Sequence, residues 1–100
     1  MNKVEQFLGL AMRAKKLVTG EELVVKSISN KQVALVILAG DASANTRKKL
    51  QDKCTTYDIP FRLYADRNRL GHCIGKEQRV VVGVKDGGFA RELLKHLDNV

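Results

Sequence analysis

Residues 33–39, VALVILA, are an unbroken aliphatic and β-branched run. A strand of that composition has no polar face to offer water, so it must be covered on both sides, as in an α/β protein. The remainder of the 100-residue chain supplies covering elements. Val4, Phe7, Leu8 and Ala11 recur at helical spacing across residues 2–15, and the run ends in Lys and Arg, where cations complement the carbonyl end of a helix dipole. Leu17-Val18 is a short β-prone step. Glu21-Glu22 opens a second helix carrying Leu23, Val24, Lys26 and Ile28, with Thr19 or Gly20 as its N-cap.

After the central run, Gly40-Asp41-Ala42-Ser43 reads as a turn and cap. Residues 44–57 then place Ala44, Leu50, Cys54 and Tyr57 near one face of an amphipathic helix. Asp58-Ile59-Pro60 ends it, residues 61–65 alternate as a half-covered strand, and Asp66 caps a short helical turn from Arg67 to Cys73 bracketed by Gly71 and Gly75. Residues 79–85 form a further buried strand, Asp86-Gly87-Gly88 a turn, and Phe89 to Leu97 a last helix with Leu93, Leu94 and Leu97 inward. This order predicts one domain over residues 1–100, a three-layer α/β/α sandwich around a small sheet that is partly parallel because helices join consecutive strands.

Several function classes fall away. Cys54 and Cys73 belong to no CxxC or Cys/His cluster, so neither a disulfide framework nor a metal site is expected, and both read as small buried hydrophobes. No apolar run approaches the roughly 20 residues of a membrane span, and the N-terminus lacks a secretory h-region. A cytoplasmic protein with no membrane partner and no cofactor is expected. Gly71 to Lys76 fits neither a phosphate-binding loop nor a dinucleotide fingerprint. His72 and Cys73, adjacent on a helix, diverge by about 100° and rarely meet as base and thiol. His96 sits in a polar stretch and is expected to be exposed. Glu21 and Glu22 are an unremarkable acidic first turn, and no constellation supports an enzyme.

The balance of 18 Lys+Arg against 11 Asp+Glu, a formal +7 with pI ≈ 9.7, is the electrostatic footprint of a polyanion partner. Basic residues lie beside turns expected to converge: Lys15 and Lys16 at the end of helix one, Gly20 and Lys26 at the start of helix two, Arg67 and Arg69 on the short fourth helix, and Lys76 and Arg79 flanking the loop after Gly75. A glycine-opened helix start presents free N–H groups to phosphate, and neighbouring cations add charge-assisted contacts. Only five aromatic residues, mostly in core-like positions, leave no stacking platform for single strands, which favours folded RNA. The competing reading is a protein adaptor that docks an acidic partner on the same face.

Four segments carry a resemblance: GLAMRAKKLVTGEELVVKSI at residues 9–28, the central strand ending in Leu38-Ala39-Gly40-Asp41-Ala42-Ser43, the exit Ile59-Pro60-Phe61 after Lys53-Cys54, and Leu70-Gly71-His72-Cys73-Ile74-Gly75. Over nearly its whole length the chain resembles the superfamily of small ribosomal proteins that bind kink-turn RNA, and within it the bacterial YlxQ branch. The resemblance implies a three-layer sandwich with a four-stranded mixed sheet and a non-enzymatic RNA-binding role, ribosomal or in another ribonucleoprotein. It also implies that the start of helix two reads RNA through a Gly-x-Asn-Glu-x-x-Lys pattern. Gly20 and Lys26 match its ends, whereas Glu22 and Leu23 stand at the Asn and Glu positions, and a carboxylate cannot donate the hydrogen bonds of an amide. The loop after Gly75, an apolar lid in strong kink-turn binders, reads Lys76-Glu77-Gln78-Arg79 here. The expected RNA surface therefore comprises Lys15, Lys16, Gly20, Glu21, Glu22 and Lys26, the Gly40-Asp41 turn, Arg67 and Arg69, and Gly75 to Arg79.

Overall fold

In the computed structural model, which describes residues 2–99, helices and strands alternate from end to end. They are α1 (Lys3–Arg13), β1 (Leu17–Thr19), α2 (Glu21–Ser29), β2 (Leu35–Leu38), α3 (Ala44–Thr56), β3 (Phe61–Leu63), α4 (Arg67–Cys73), β4 (Val81–Val84) and α5 (Gly87–Leu97). The helix starts are chemically marked. Asn2, Ser43, Asp66 and Asp86 each accept a backbone N–H three residues on with a side-chain oxygen, which satisfies a donor that the first turn leaves unpaired. Gly20 opens α2 with no side-chain cap.

The four strands lie in the order β1-β4-β2-β3. β2 and β3 are parallel, joined by α3, while β4 inserts antiparallel between β1 and β2. β1, β2 and β3 therefore point the same way, each followed by a helix at its carboxyl end. Val36 of β2 lies between Gly83 of β4 and Phe61 of β3, so β2 is paired on both edges as well as covered on both faces. The aliphatic run of residues 33–39 narrows to a ladder over Leu35–Leu38, with Ala34 and Ala39 still donating to Val84 and Val80 where the chain turns away.

Alternation along the strands sorts the core into two layers. Leu35, Ile37, Val82 and Val84 pack against Val4 and Leu8 of α1, Leu70 of α4 and Leu93 of α5. Val36, Leu38 and Val81 pack against Val24 and Ile28 of α2 and Leu50 and Cys54 of α3. The three-layer sandwich expected from the sequence is what forms. Gly83 permits the close approach of the second layer, since a Cβ there would stand 2.9 Å from Val18 Cγ1 and 3.0 Å from Val33 Cγ1.

Local expectations needed correction. Ala44 is exposed because it opens α3 beyond the sheet edge. Leu94 is half-buried, on the flank of the stripe formed by Ala90, Leu93 and Leu97. His96 is not simply exposed: its ring stacks on Phe7 of α1 with centroids 5.6 Å apart, as α1 and α5 lie side by side. Cys73 is only half-buried. Among the described residues no helix is long and apolar enough to cross a membrane.

Candidate functional site

The carboxyl ends of β1, β2 and β3 and the amino end of β4 meet along one edge of the sheet. In open α/β sheets the loops at that end are where ligands gather. Here the Gly20 N–H reaches the Val81 carbonyl at 3.4 Å, Ala39 donates to Val80 at 2.8 Å, and Gly40 donates to Ala65 at 2.8 Å. The start of α2, the Gly40-Asp41 turn and the segment before β4 are thereby tied together.

Gly20 has φ +95°, a backbone conformation open to glycine and strained for other residues. Space would not exclude a side chain there, because nothing lies within 4 Å of an added Cβ; the backbone conformation does. Beyond it, Glu21 turns inward. Its carboxylate accepts from Thr46 Oγ1 at 2.9 Å and from Lys49 Nζ at 3.3 Å, and these hydrogen bonds, Thr46 first, hold its pKa below the ordinary value. Thr46 Oγ1 in turn accepts from Ser43 Oγ, the N-cap of α3. Glu21 thus fastens α3 to α2. Glu22, Leu23 and Lys26 remain exposed on the outer face of α2.

Across a cleft of about 480 Å³ from Gly20 and Glu21 lie Gln78 and Arg79. These two also line an adjoining recess of about 450 Å³ with Asn68, His72, Lys76 and Glu77. The loop carrying them is held at both ends: Lys76 donates to the Gly71 carbonyl at 2.9 Å and Arg79 to the Arg67 carbonyl at 3.0 Å. Gly71 is indispensable to that seat, for a Cβ on it would fall 1.5 Å from the Glu77 carbonyl oxygen. Gly75, at φ +73°, makes the turn between α4 and the loop.

Arg67 and Arg69 have partners already. Arg67 binds Asp41, with Nε to Oδ2 at 3.1 Å and a second contact to the Asp41 carbonyl at 2.8 Å, so it braces α4 against the Gly40-Asp41 turn. Arg69 makes two contacts of 2.7 Å to the buried carboxylate of Glu5. The expected convergence fails for Lys15 and Lys16. Lys16 accepts from the Lys85 N–H at 2.8 Å, at the edge of the sheet opposite Gly20, because β1 runs its extended length between the two.

The sequence reading did not single out Leu23 as a contact, yet it is the most exposed large hydrophobic residue at 58%. Its signal was available: Val24 and Ile28 define the inward stripe, and Leu23 falls outside it. Asn68 and Thr46 carry no local sequence signal, and they reach the two cavities, with His72, only through the fold. The larger cleft of about 650 Å³ between the end of α3 and β3 has no convergent cations, its Arg62 being held by Asp98 at 2.7 Å.

Nothing at this edge assembles a nucleophile with a base. Burial pushes both thiols up to about 11, which leaves them protonated and poorly nucleophilic at neutral pH. No group of three metal-ligating side chains occurs among the described residues.

Residues 2–94 match the model of the ribosomal protein L7Ae/L30e/S12e/Gadd45 family. The chain belongs to this family. Within reach of it are two curated relatives, both described as RNA-binding protein YlxQ. The one from Bacillus subtilis (strain 168) is 52% identical over 100 residues, covering 98% of this chain and 100% of the relative. The one from Enterococcus faecium is 44% identical over 91 residues, covering 90% and 86%. A solved Bacillus halodurans protein of unknown function superposes with TM-score 0.96 at 53% identity, covering 98% of this chain and 99% of that one. The Giardia lamblia 15.5kD RNA binding protein shares the fold, with TM-score 0.84 at 16% identity, covering 98% and 84%.

Proposed function

We propose that this chain is a non-enzymatic RNA-binding protein that takes a bent or internally looped RNA into the cleft between the start of α2 and the loop of residues 75–80. The observation that carries this reading is the cleft's composition. A positive-φ glycine lines a cleft of about 480 Å³ with Gln78 and Arg79 across from it, and Leu23 and Lys26 are exposed on the helix that this glycine opens. Backbone can approach RNA closely at Gly20, Leu23 can cover an unstacked base, and Lys26, Gln78 and Arg79 can hold base edges and phosphates. The family and the YlxQ relatives support RNA binding.

The cleft's own carboxylates argue against an acidic protein as the partner. Glu21 lines the cleft beside Arg79 and Glu77 lines the adjoining recess beside Lys76, which dilutes charge attraction and leaves shape and hydrogen bonding to select the ligand. Glu22 and Leu23 in place of an amide and a carboxylate give this surface its own base preferences within kink-turn-like RNA. The setting we propose is a cytoplasmic ribonucleoprotein, the ribosome among them.

Crosslinking in the cells of origin followed by sequencing of the recovered RNA tests the proposal. Enrichment of a discrete set of structured RNAs, crosslinked at α2 and residues 75–80, is expected. Recovery in proportion to total cellular RNA would overturn it.

A further inference from the structure

Five exposed cations gather at the end of the strands away from the cleft. At the opposite edge of the sheet, Lys15 and Lys16 follow α1, Lys31 follows α2, Lys85 follows β4, and Arg91 lies on α5 with its guanidinium reaching back to within 3.9 Å of a Cβ built on Gly87. Backbone bonds gather these loops: Lys85 donates to the Lys16 carbonyl at 2.8 Å, and Ala34, just beyond Lys31, donates to Val84 at 2.7 Å. All five cations are exposed, and none has a carboxylate within 4.0 Å among the described residues. Of the acids at this end, Asp86 has turned its carboxylate to the Phe89 N–H as the cap of α5, and Asp58 lies on the α3–β3 loop at the far side of β2.

Two of these lysines are held at conformational cost. Lys15 and Lys31 have φ of +60° and +56°, each as the first residue past a helix cap, a position that glycine fills without strain. Compensation of the helix dipole favours a cation there but does not require two long, unpaired ammonium groups on one edge.

We propose that this edge is a second phosphate-binding surface, which takes the sugar–phosphate backbone of another RNA segment while the cleft holds the first. The inference rests on the RNA-binding reading of the cleft. Lysine ammoniums are point charges suited to phosphate and indifferent to base identity, so the second contact is insensitive to sequence where the first is selective. With the two surfaces at opposite ends of the strands, in a molecule measuring 32 × 26 × 25 Å, both RNA segments can be held without collision.

The test uses the full chain and its Lys15→Gln/Lys16→Gln/Lys31→Gln/Lys85→Gln variant, with folding checked by circular dichroism. One biotinylated internally looped RNA is immobilised, and capture of a second, fluorescent RNA duplex through the protein is measured together with the stoichiometry. Wild-type protein is expected to couple the two RNAs at one protein per pair. The variant is expected to bind the looped RNA within about threefold of wild type and to lose the duplex. The salt dependence of duplex capture should have a log–log slope of about −3 to −4, that of roughly four phosphate contacts.

Coupling by the variant equal to wild type would overturn the inference, as would coupling that requires two proteins. Equal capture of a poly-glutamate peptide in place of the duplex would overturn it in favour of an acidic protein partner. Loss of the looped RNA itself from the variant would show one continuous surface rather than two, and overturn it as well. Failure of the wild type to bind any RNA would overturn the reading of the cleft, an outcome distinct from binding the looped RNA without the duplex.

Discussion

Arg69 of α4 grips Glu5 of α1 through two guanidinium nitrogens, each 2.7 Å from a carboxylate oxygen. Glu5 is buried to 5% exposure whereas Arg69 is 53% exposed, and the Tyr64 hydroxyl donates a third bond to the same carboxylate at 2.9 Å. The pair joins α1 to α4, the helix to which the loop of residues 75–80 is tied through the Gly71 and Arg67 carbonyls. Arg69 is thus a strut of the candidate site.

Removing the charge from that carboxylate should cost stability. Glu5→Gln is expected to lose about 1–3 kcal/mol at neutral pH, with half of the ion pair screened by water and the other half not. For a chain of this length each kcal/mol lowers Tm by about 4–8 °C. The Arg69 hydrogen bonds lower the Glu5 pKa, burial opposes them, and the Tyr64 bond lowers it further. A depressed carboxyl stabilises the fold above its unfolded pKa, here near 4.5, and that stabilisation disappears as pH falls through the folded value. Thermal melts should show wild type losing stability below about pH 4.5 and Glu5→Gln losing less; parallel curves would refute the assignment.

Gly71→Ala should displace the loop of residues 75–80, because its Cβ would collide with the Glu77 carbonyl and backbone cannot yield as a side-chain tip can. Amide exchange is expected to rise across Lys76 to Arg79, with RNA affinity reduced and the remaining core still folded. Unaltered exchange in that loop would contradict the structure.

Gly20→Val should act chiefly through the backbone. With φ at +95°, valine is strained by about 1–3 kcal/mol, and relief of that strain would shift the start of α2. RNA binding should fall by more than the melting temperature alone accounts for, as titrations well below the melting range would show. Full affinity would remove this loop from the interface.

Lys76→Ala with Arg79→Ala should weaken binding to many structured RNAs alike and reduce the salt slope by about two phosphate contacts. Replacing Lys76→Ile with Gln78→Val should instead favour RNA with bases flipped out at a bend, since apolar side chains cover base surface otherwise left in water. A competition between kink-turn RNA and plain duplex reads the difference; unchanged discrimination would place the loop outside the interface.

The layers were legible because hydrophobic period distinguishes a doubly covered strand, VALVILA, from the amphipathic α1 and α5. The order of strands was not. Nothing local to RVVVGVK at residues 79–85 reveals that β4 inserts between β1 and β2. At the candidate site, the place of Gly20 at the start of α2 was legible because a helix start has a one-dimensional pattern, whereas Lys26, expected near that start, lies in the last turn of the helix. The engagement of Arg67 by Asp41 and of Arg69 by Glu5 spans 26 and 64 residues, and such separations leave no trace in spacing. The same limit explains Lys15 and Lys16: proximity to Gly20 in sequence concealed an extended strand that carries them to the other edge.

The central claim is that the outer face of α2 beside the loop of residues 75–80 holds RNA, and the most direct measurement compares Lys26→Ala with Lys48→Ala by fluorescence anisotropy on one internally looped RNA at fixed salt. Lys26 is exposed on α2, the helix whose start lines the cleft, whereas Lys48 sits on α3 and pairs with Asp52 at 3.1 Å. Lys26→Ala should weaken binding by about 1–3 kcal/mol, and Lys48→Ala should leave it unchanged. Equal losses from both would show that RNA senses only diffuse charge, and would contradict the site.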